Sequence, residues 1–581
     1  MSTSKYLEKI CIIVTAFAVL LTIFFMNGKR FGIEPVSGAS GYEDRLFNTS
    51  YVHEIDIVMN NFDDMCGKAD KTWYDCDAVI DGEKFSNISI RIKGNAGEVQ
   101  SLGSAKYSFR IGFDHRNSME SYHGLNKLDL NNSAGDCTFM KEFLVYEAMA
   151  GSGVPSPLSS YAFLTVNGKD AGLYLAVESI DDAFLIRNFG KNYGNLYKPE
   201  CEDTEYEKTI QSVGRDPQVD SGDLDIVGRT DENSGRDVSF DDPMEHIDPN
   251  VLSQNDFNSI MSASLGEEAA GSEDAGSEDA ASETNSEADS VESTLTEGSD
   301  AENGSDEGES EAGNESNLTE ESESAGGSHG IQDTMAIVKP DDIKLIYIDD
   351  DPKSYPNIFD NASQNVTGRD RAELIRALKT LSTGTDVGSA VDVDEVIAYF
   401  AVHNFVVSWN SYTGETAGNY YLYEKRGHLA MLPWDYSSAF GTYRSGDATR
   451  MINYPVDTPL LKGLSGNRPM FDWIMKDQRY VTAYHAAMRD LIDRYSGEND
   501  ISFELKQIEA MLTPYIERDQ NKFASETAFH KGVDTLISFW KLRSESVENQ
   551  LAGEIPSTLE GQAESQELLI DASSLELIDM K

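Results

Sequence analysis

Asp435 ends a stretch that reads as two short strands around a tight turn: Tyr420-Tyr421-Leu422-Tyr423-Glu424-Lys425, then Arg426-Gly427, then His428-Leu429-Ala430-Met431-Leu432-Pro433-Trp434. Pro433 has no N–H to give to a ladder, so the second strand stops there. A carboxylate at the end of a buried strand is aimed with little freedom, which suits a ligand of a hard cation. The same residue type also caps turns. Just upstream, Ser408-Trp409-Asn410-Ser411 and Asn419 form a second polar cluster. Nearer the N-terminus, Lys93-Gly94-Asn95-Ala96-Gly97 is a small-residue loop, and Lys106 opens the strand pattern that follows it. The backbone N–H groups of such a loop can lie over phosphates. A strand lysine beside it reaches the same phosphates or points to water.

The elements that must position these residues are legible as patterns. Val52 to Val58 alternates as a strand. Ala78-Val79-Ile80, Asp81-Gly82 and Asn87 to Ile92 predict a hairpin with Ile88, Ile90 and Ile92 on one face, and Asn167-Gly168 predicts another between Tyr161–Val166 and Gly172–Val177. Between the hairpins lies a helix with Phe139, Phe143, Leu144 and Ala148 on one side, Asp136 as its expected N-cap, and Gly151, Gly153 and Pro155 as its stop. Farther on, helices are expected over Arg369–Thr380, from Asp392 through Phe405, and over Tyr480–Leu491, Glu504–Tyr515 and Val533–Leu551.

Taken in order, Ile90-Arg91-Ile92-Lys93-Gly94-Asn95, Leu128-Asp129-Leu130-Asn131-Asn132, Gly172-Leu173-Tyr174-Leu175, Gly194-Asn195-Leu196-Tyr197-Lys198 and the run from His403 to Gly441 resemble the blocks of the CotH family of spore-coat and surface proteins. The resemblance covers about Tyr51 to about Leu551, apart from one insert. It implies an α+β, two-lobed atypical protein-kinase-like fold. The strand-rich N-terminal lobe would span 51–178 and the helical C-terminal lobe 179–552, with a hinge at Glu178-Ser179-Ile180-Asp181. It also implies ATP with Mg²⁺ or Mn²⁺ as cofactors. Lys93 and Lys106 would be the nucleotide-binding lysines. Lys106 is favoured for the phosphates, because it sits on the strand after the loop, and Glu142 would be its helix partner. Asp435 would be the metal acid, and Asn419 a second metal ligand or a loop-fixing residue. Asn410 stands where the family's catalytic acid is expected, and an amide cannot accept the hydroxyl proton. Glu415 or Asp447 could substitute for it. The implied activity is phosphorylation of Ser or Thr on a surface or coat protein. The alternative is a pseudokinase scaffold in a cell-surface or coat assembly.

The 581 residues carry a formal net charge of −54, which argues against nucleic acid as a partner and favours cations and basic proteins. Residues 1–30 contain an uncharged run, Ile10 to Met26, preceded by Lys5 and Lys9. This predicts an uncleaved signal anchor, a single membrane-spanning helix with the body outside the cytoplasm. Residues 31–50 read as a linker. Residues 255–335 read as a disordered acidic insert, rich in Ser, Gly, Glu and Asp. Residues 553–581 read as an acidic tail or a loosely docked helix. Cys66 and Cys76 are close enough in sequence to pair in an oxidising compartment.

Overall fold

The computed structural model describes residues 41–94, 106–117, 120–200, 340–414, 416–443, 447–460 and 468–581. They all belong to one compact unit. The expected anchor (1–30) and acidic insert (255–335) lie outside the described residues. Among the described residues, no helix is long and apolar enough to cross a membrane.

The chain is α+β. Seven strands form a closed barrel: β1 (His53–Val58), β2 (Tyr74–Ile80), β3 (Glu83–Lys93), β4 (Ser108–Gly112), β5 (Lys127–Asn131), β6 (Ser159–Val166) and β7 (Lys169–Glu178), in the spatial order β1-β2-β3-β4-β5-β7-β6. Three dipeptides make the tight hairpin turns. Asp81 and Gly82 (φ 49° and 84°), Asn167 and Gly168 (52° and 73°), and Arg426 and Gly427 (57° and 80°) put two successive residues in the left-handed region. That geometry matches the strand twist in a two-residue hairpin. The barrel is closed by a parallel pairing of β1 with β6, in the register Ile55↔Leu164 and Ile57↔Val166. Its interior is filled by alternate residues, among them Ile55, Ile57, Ile88, Ile90, Ile92, Phe109, Ile111, Leu128 and Leu130.

Strands β6 and β7 are buried on both faces, which explains their unbroken apolar runs. Ala162, Leu164, Tyr174 and Ala176 face the barrel interior. Tyr161, Phe163, Leu173, Leu175 and Val177 join a larger core built with the helices. That core takes in α1 (Lys141–Gly151), α2 (Gly368–Thr383), α3 (Val393–Phe405), α4 (Gln478–Arg494), α5 (Ile501–Arg518) and α6 (Glu526–Ala552). Helix α2 starts with a capping box, Thr367 with Asp370, and Asp392 caps α3. A second sheet, β8 (Asn195–Tyr197), β9 (Tyr420–Lys425) and β10 (His428–Pro433), has the order β10-β9-β8. At the crossover after β7, Glu178 is fully buried. It accepts hydrogen bonds from Tyr42, Arg187 and the Leu158 N–H.

Two local expectations are corrected and a third is narrowed. Helix α1 begins at Lys141, so Asp136 is not its N-cap residue. It caps from outside instead, accepting from the Lys141 and Thr138 N–H groups, each at 3.0 Å. Cys66 and Cys76 are unpaired thiols. Residues 553–581 are no free tail: Ala572, Leu577 and Met580 are buried in the main core, and the Asp579 carbonyl accepts from Cys137 Sγ at 2.7 Å.

Candidate functional site

Strand β3 delivers Lys93 to the barrel rim, next to the end of β5. The alternation Leu128-Asp129-Leu130-Asn131 turns the leucines inward and sets Asp129 and Asn131 on the other face, toward β3 and β4. Asp129 is fully buried and takes both Arg110, through Nε at 2.5 Å and Nη2 at 2.8 Å, and Lys93, at 3.3 Å. Burial pushes its carboxyl up, but the two cations outweigh burial and hold it well below the usual carboxylate range.

Lys93 Nζ donates to Asn131 Oδ1 at 2.5 Å, and Asn131 Nδ2 donates to Glu142 Oε2 at 2.7 Å. Tyr146, one turn along α1, donates to Glu142 Oε1 at 2.6 Å. The Asp435 N–H in turn donates to the Tyr146 hydroxyl at 3.2 Å. The structure thus strings Lys93, Asn131, Glu142, Tyr146 and Asp435 on one continuous hydrogen-bonded chain. Lys93 also sits over the Trp434 ring, 4.5 Å from its centroid. Asp435 adopts a left-handed backbone (φ 54°), turning its side chain out of the strand line, and its Oδ1 accepts from the Ser437 hydroxyl at 2.7 Å.

Burial raises the Glu142 carboxyl to about 7. The charge of Asp435 pushes the same way and Lys93 opposes it. A carboxyl raised in the folded state contributes stability that is complete below its ordinary value of 4.5 and lost as pH rises through about 7. Glu142→Gln is therefore expected to flatten the fall in stability across that window. Urea midpoints at pH 5 and pH 8 check this: the gap between wild type and variant should move in the variant's favour at pH 8.

The polar cluster upstream is a clamped loop. Asn419 Nδ2 donates to the Asn410 carbonyl at 2.8 Å, so Asn419 fixes the loop that carries Asn410. Gly414 lies against the Trp409 carbonyl, where a Cβ would clash, so the loop folds tightly on itself. The buried Arg468 donates to the carbonyls of Tyr412 and Gly414. His403, on α3, joins the loop to Tyr436 beside Asp435.

Of the residues expected from the sequence, Lys93, Glu142 and Asp435 are brought together, and Asn410 and Asn419 form a neighbouring pair. Among the described residues, no side-chain hydrogen bond joins that pair to Asp435. Lys106, the favoured phosphate lysine, lies elsewhere: it is buried against Asp519, with Nζ–Oδ2 at 2.6 Å. The reason is the register, because Lys106 precedes β4 and enters the core rather than the rim. Asp447 caps the short helix Ala448–Ile452, and Glu415 is outside the described residues. Asn131, Tyr146 and His403 were not singled out as site residues. The polar alternation on β5 and the i, i+4 spacing of Glu142 and Tyr146 were the available signals.

Among the described residues, no group of three or more His, Cys, Asp or Glu is arranged to hold a metal ion. A lone carboxylate still fits Mg²⁺ carried on phosphates, because that ion commonly takes one or two protein carboxylates and fills its shell with phosphate oxygens and water. A concavity of about 370 Å³ lies apart from the chain of bonds, lined by Phe189, Tyr423 and His428 among others, and none of the expected site residues lines it.

A family model described as CotH kinase protein matches residues 90–265 and 315–547. Inner spore coat protein H of Bacillus subtilis (strain 168) is 30% identical over 82 residues, 14% of this chain and 22% of that protein. The inner spore coat protein H-like protein of the same strain is 35% identical over 74 residues, 13% of this chain and 22% of that protein. The aligned stretches thus span about a fifth of each of these relatives.

Proposed function

The chain belongs to the CotH kinase protein family, and from that premise we propose that it binds ATP with Mg²⁺ or Mn²⁺ in a kinase-like site and phosphorylates Ser or Thr of a surface or coat protein. The observation that carries this reading is the bonded chain from Lys93 through Asn131, Glu142 and Tyr146 to Asp435. A kinase-like site needs a lysine for the phosphates, fixed relative to an acid for the metal. Lys93 would meet the phosphates, in place of the Lys106 first favoured. Glu142 would act on Lys93 through the Asn131 amide. Asp435 would hold the cation, which neutralises charge as the phosphoryl group moves. The spore-coat names of the two B. subtilis relatives support a coat or extracellular setting. The N-terminal stretch would tether the body to a membrane.

One observation favours a second reading. Asn410 stands at the expected acid position, and its side chain cannot take a proton from an attacking hydroxyl. A pseudokinase that binds nucleotide and organises partners would need only the Lys93–Asp435 half of the site.

The test is phosphate transfer from labelled ATP with Mg²⁺ or Mn²⁺ by the full chain, beside Asp435→Ala, Asn410→Asp and Lys93→Ala. Label on the wild type that vanishes in Asp435→Ala supports the kinase. Label on Asn410→Asp alone supports the pseudokinase. Lys93→Ala is expected to weaken ATP binding about tenfold or more, the equivalent of losing about 1.4 kcal/mol. Absence of ATP binding in every variant defeats both readings.

A further inference from the structure

His403 is 1% exposed, on the last turn of α3, and both of its ring nitrogens are engaged. Nδ1 lies 2.8 Å from the Tyr436 hydroxyl, the residue directly after Asp435. Nε2 lies 2.8 Å from Thr413 Oγ1 and 3.0 Å from Ser411 Oγ, both on the loop that carries Asn410. Burial pushes the imidazole down to about 3, so it is neutral, one nitrogen donating and the other accepting. The Tyr436 hydroxyl accepts from Nδ1–H, because its own proton goes to Tyr399, and Nε2 accepts from the Thr413 hydroxyl, so both ends are satisfied. The ring stacks on Tyr399 at 5.4 Å, and the Tyr436 hydroxyl donates to the Tyr399 hydroxyl at 3.3 Å, which holds the ring in place. Backbone bonds close the same joint, from Phe440 N to the Val406 carbonyl at 2.7 Å and from Gly441 N to the Val407 carbonyl at 3.2 Å.

We propose that His403 is a positioning residue that locks the Asn410 loop and the Asp435 segment in one relative placement. No other side chain described above touches both. The proposal deepens the kinase-like reading and rests on it for its consequence: the span between Asn410 and the cation at Asp435 would be set by this imidazole together with the backbone bonds of the same joint. A rigid spacer suits that task, because a misplacement on the order of 1 Å can cost about a hundredfold in rate.

The two ends can be cut separately. Tyr436→Phe removes the hydroxyl on the Asp435 side and leaves the loop untouched, whereas Thr413→Val does the reverse. Hydrogen exchange of the full chain reads the coupling without any ligand. Tyr436→Phe is expected to speed exchange at 408–414 about tenfold, and Thr413→Val to speed exchange at 436–441, with α4 unchanged. His403→Gln mimics Nε2 alone and should behave as Tyr436→Phe does. Exchange that rises only in the segment carrying the substitution overturns the proposal. The second readout is the gain in ATP affinity on adding Mg²⁺, which should shrink about fivefold in Tyr436→Phe. A lower Tm with an unchanged Mg²⁺ gain marks a merely structural role and also overturns it. If the wild type binds no ATP, the kinase-like reading falls, and the exchange data still decide whether His403 couples the two segments.

Discussion

Lys106→Met is expected to lower the free energy of unfolding by about 3–5 kcal/mol, the usual cost of stranding one member of a buried ion pair. Neither Lys106 nor Asp519 exposes any side-chain surface. The ammonium is ringed by the faces of Phe139, Tyr174 and Phe523. Burial lowers the pKa of the lysine, and the charge of Asp519 works against that. Asp519 also accepts from the Leu173 N–H at 3.0 Å and the Asn521 N–H at 2.8 Å. Without Lys106 the carboxylate keeps these bonds and loses its countercharge. Lys106→Met with Asp519→Leu removes both charges but orphans the Leu173 N–H, so a residual loss of about 1–3 kcal/mol is expected. Gly172→Ala approaches the same joint from the barrel side. A Cβ there would fall on the Asp519 carboxylate, and φ is +116°. It should therefore destabilise, where a Gly→Ala change at a compatible position stabilises by about 0.4–1 kcal/mol. Urea unfolding followed by far-ultraviolet circular dichroism measures all of these. A loss under about 1 kcal/mol for Lys106→Met would rule the pair out as a fastener.

Arg543→Met is the second large effect, expected at about 3–5 kcal/mol. Its guanidinium is fully buried, and its hydrogen-bond partners are backbone carbonyls. Nε and Nη2 reach Phe405 and Asn404 at 3.1 Å each, while Nη1 reaches Ile452 at 2.9 Å and Tyr454 at 2.6 Å. Asn404 and Phe405 close α3, so the cation sits at the negative end of that helix. Burial brings the guanidinium down to about 9, and the neighbouring Tyr484 and Tyr454 oppose the shift. Bonds to a charged donor are worth about 1.5–3 kcal/mol each, and relief of the buried charge offsets part of the sum. Arg543→Lys keeps the charge without the planar fork and should recover about half of the loss. Because α3 runs straight into the Asn410 loop, the same variant should speed hydrogen exchange at 408–414.

Much of this fold is written in short-range chemistry. Asp81-Gly82 and Asn167-Gly168 each announce their hairpin, since few other dipeptides tolerate two left-handed residues in a row, and Gly427 marks the third turn. Helix α3 is announced by Asp392 and its apolar residues. The closure of the barrel is not, because the parallel pairing of β1 with β6 has no turn to signal it. The burial of Lys106 against Asp519 is hidden for the same reason: its partner lies 413 residues away, and a lysine beside a glycine loop carries no local mark of burial. Lys93 and Glu142 were both in view, but the Asn131 amide that joins them depends on β5 ending beside β3, which is tertiary information. Arg543 and His403 are polar residues inside helices, where position alone does not separate a solvated side chain from one that ties two loops together.

The Lys106–Asp519 pair also has a meaning in time. Leu173 and Asp519, joined in the finished molecule, are 346 residues apart. At about 5–20 residues per second, a ribosome needs roughly 20–70 s to cover that interval. The seven strands can close meanwhile, but the outer face of β6 and β7, with Phe163, Leu173 and Leu175, still waits for its helices. Lys106 waits for its carboxylate among aromatic rings. A nascent barrel at this stage presents an apolar surface that its helices have yet to cover. The last helices therefore complete the core: a chain that stops short of Asp519 leaves the outer face of β6 and β7 without the packing it has in the finished fold.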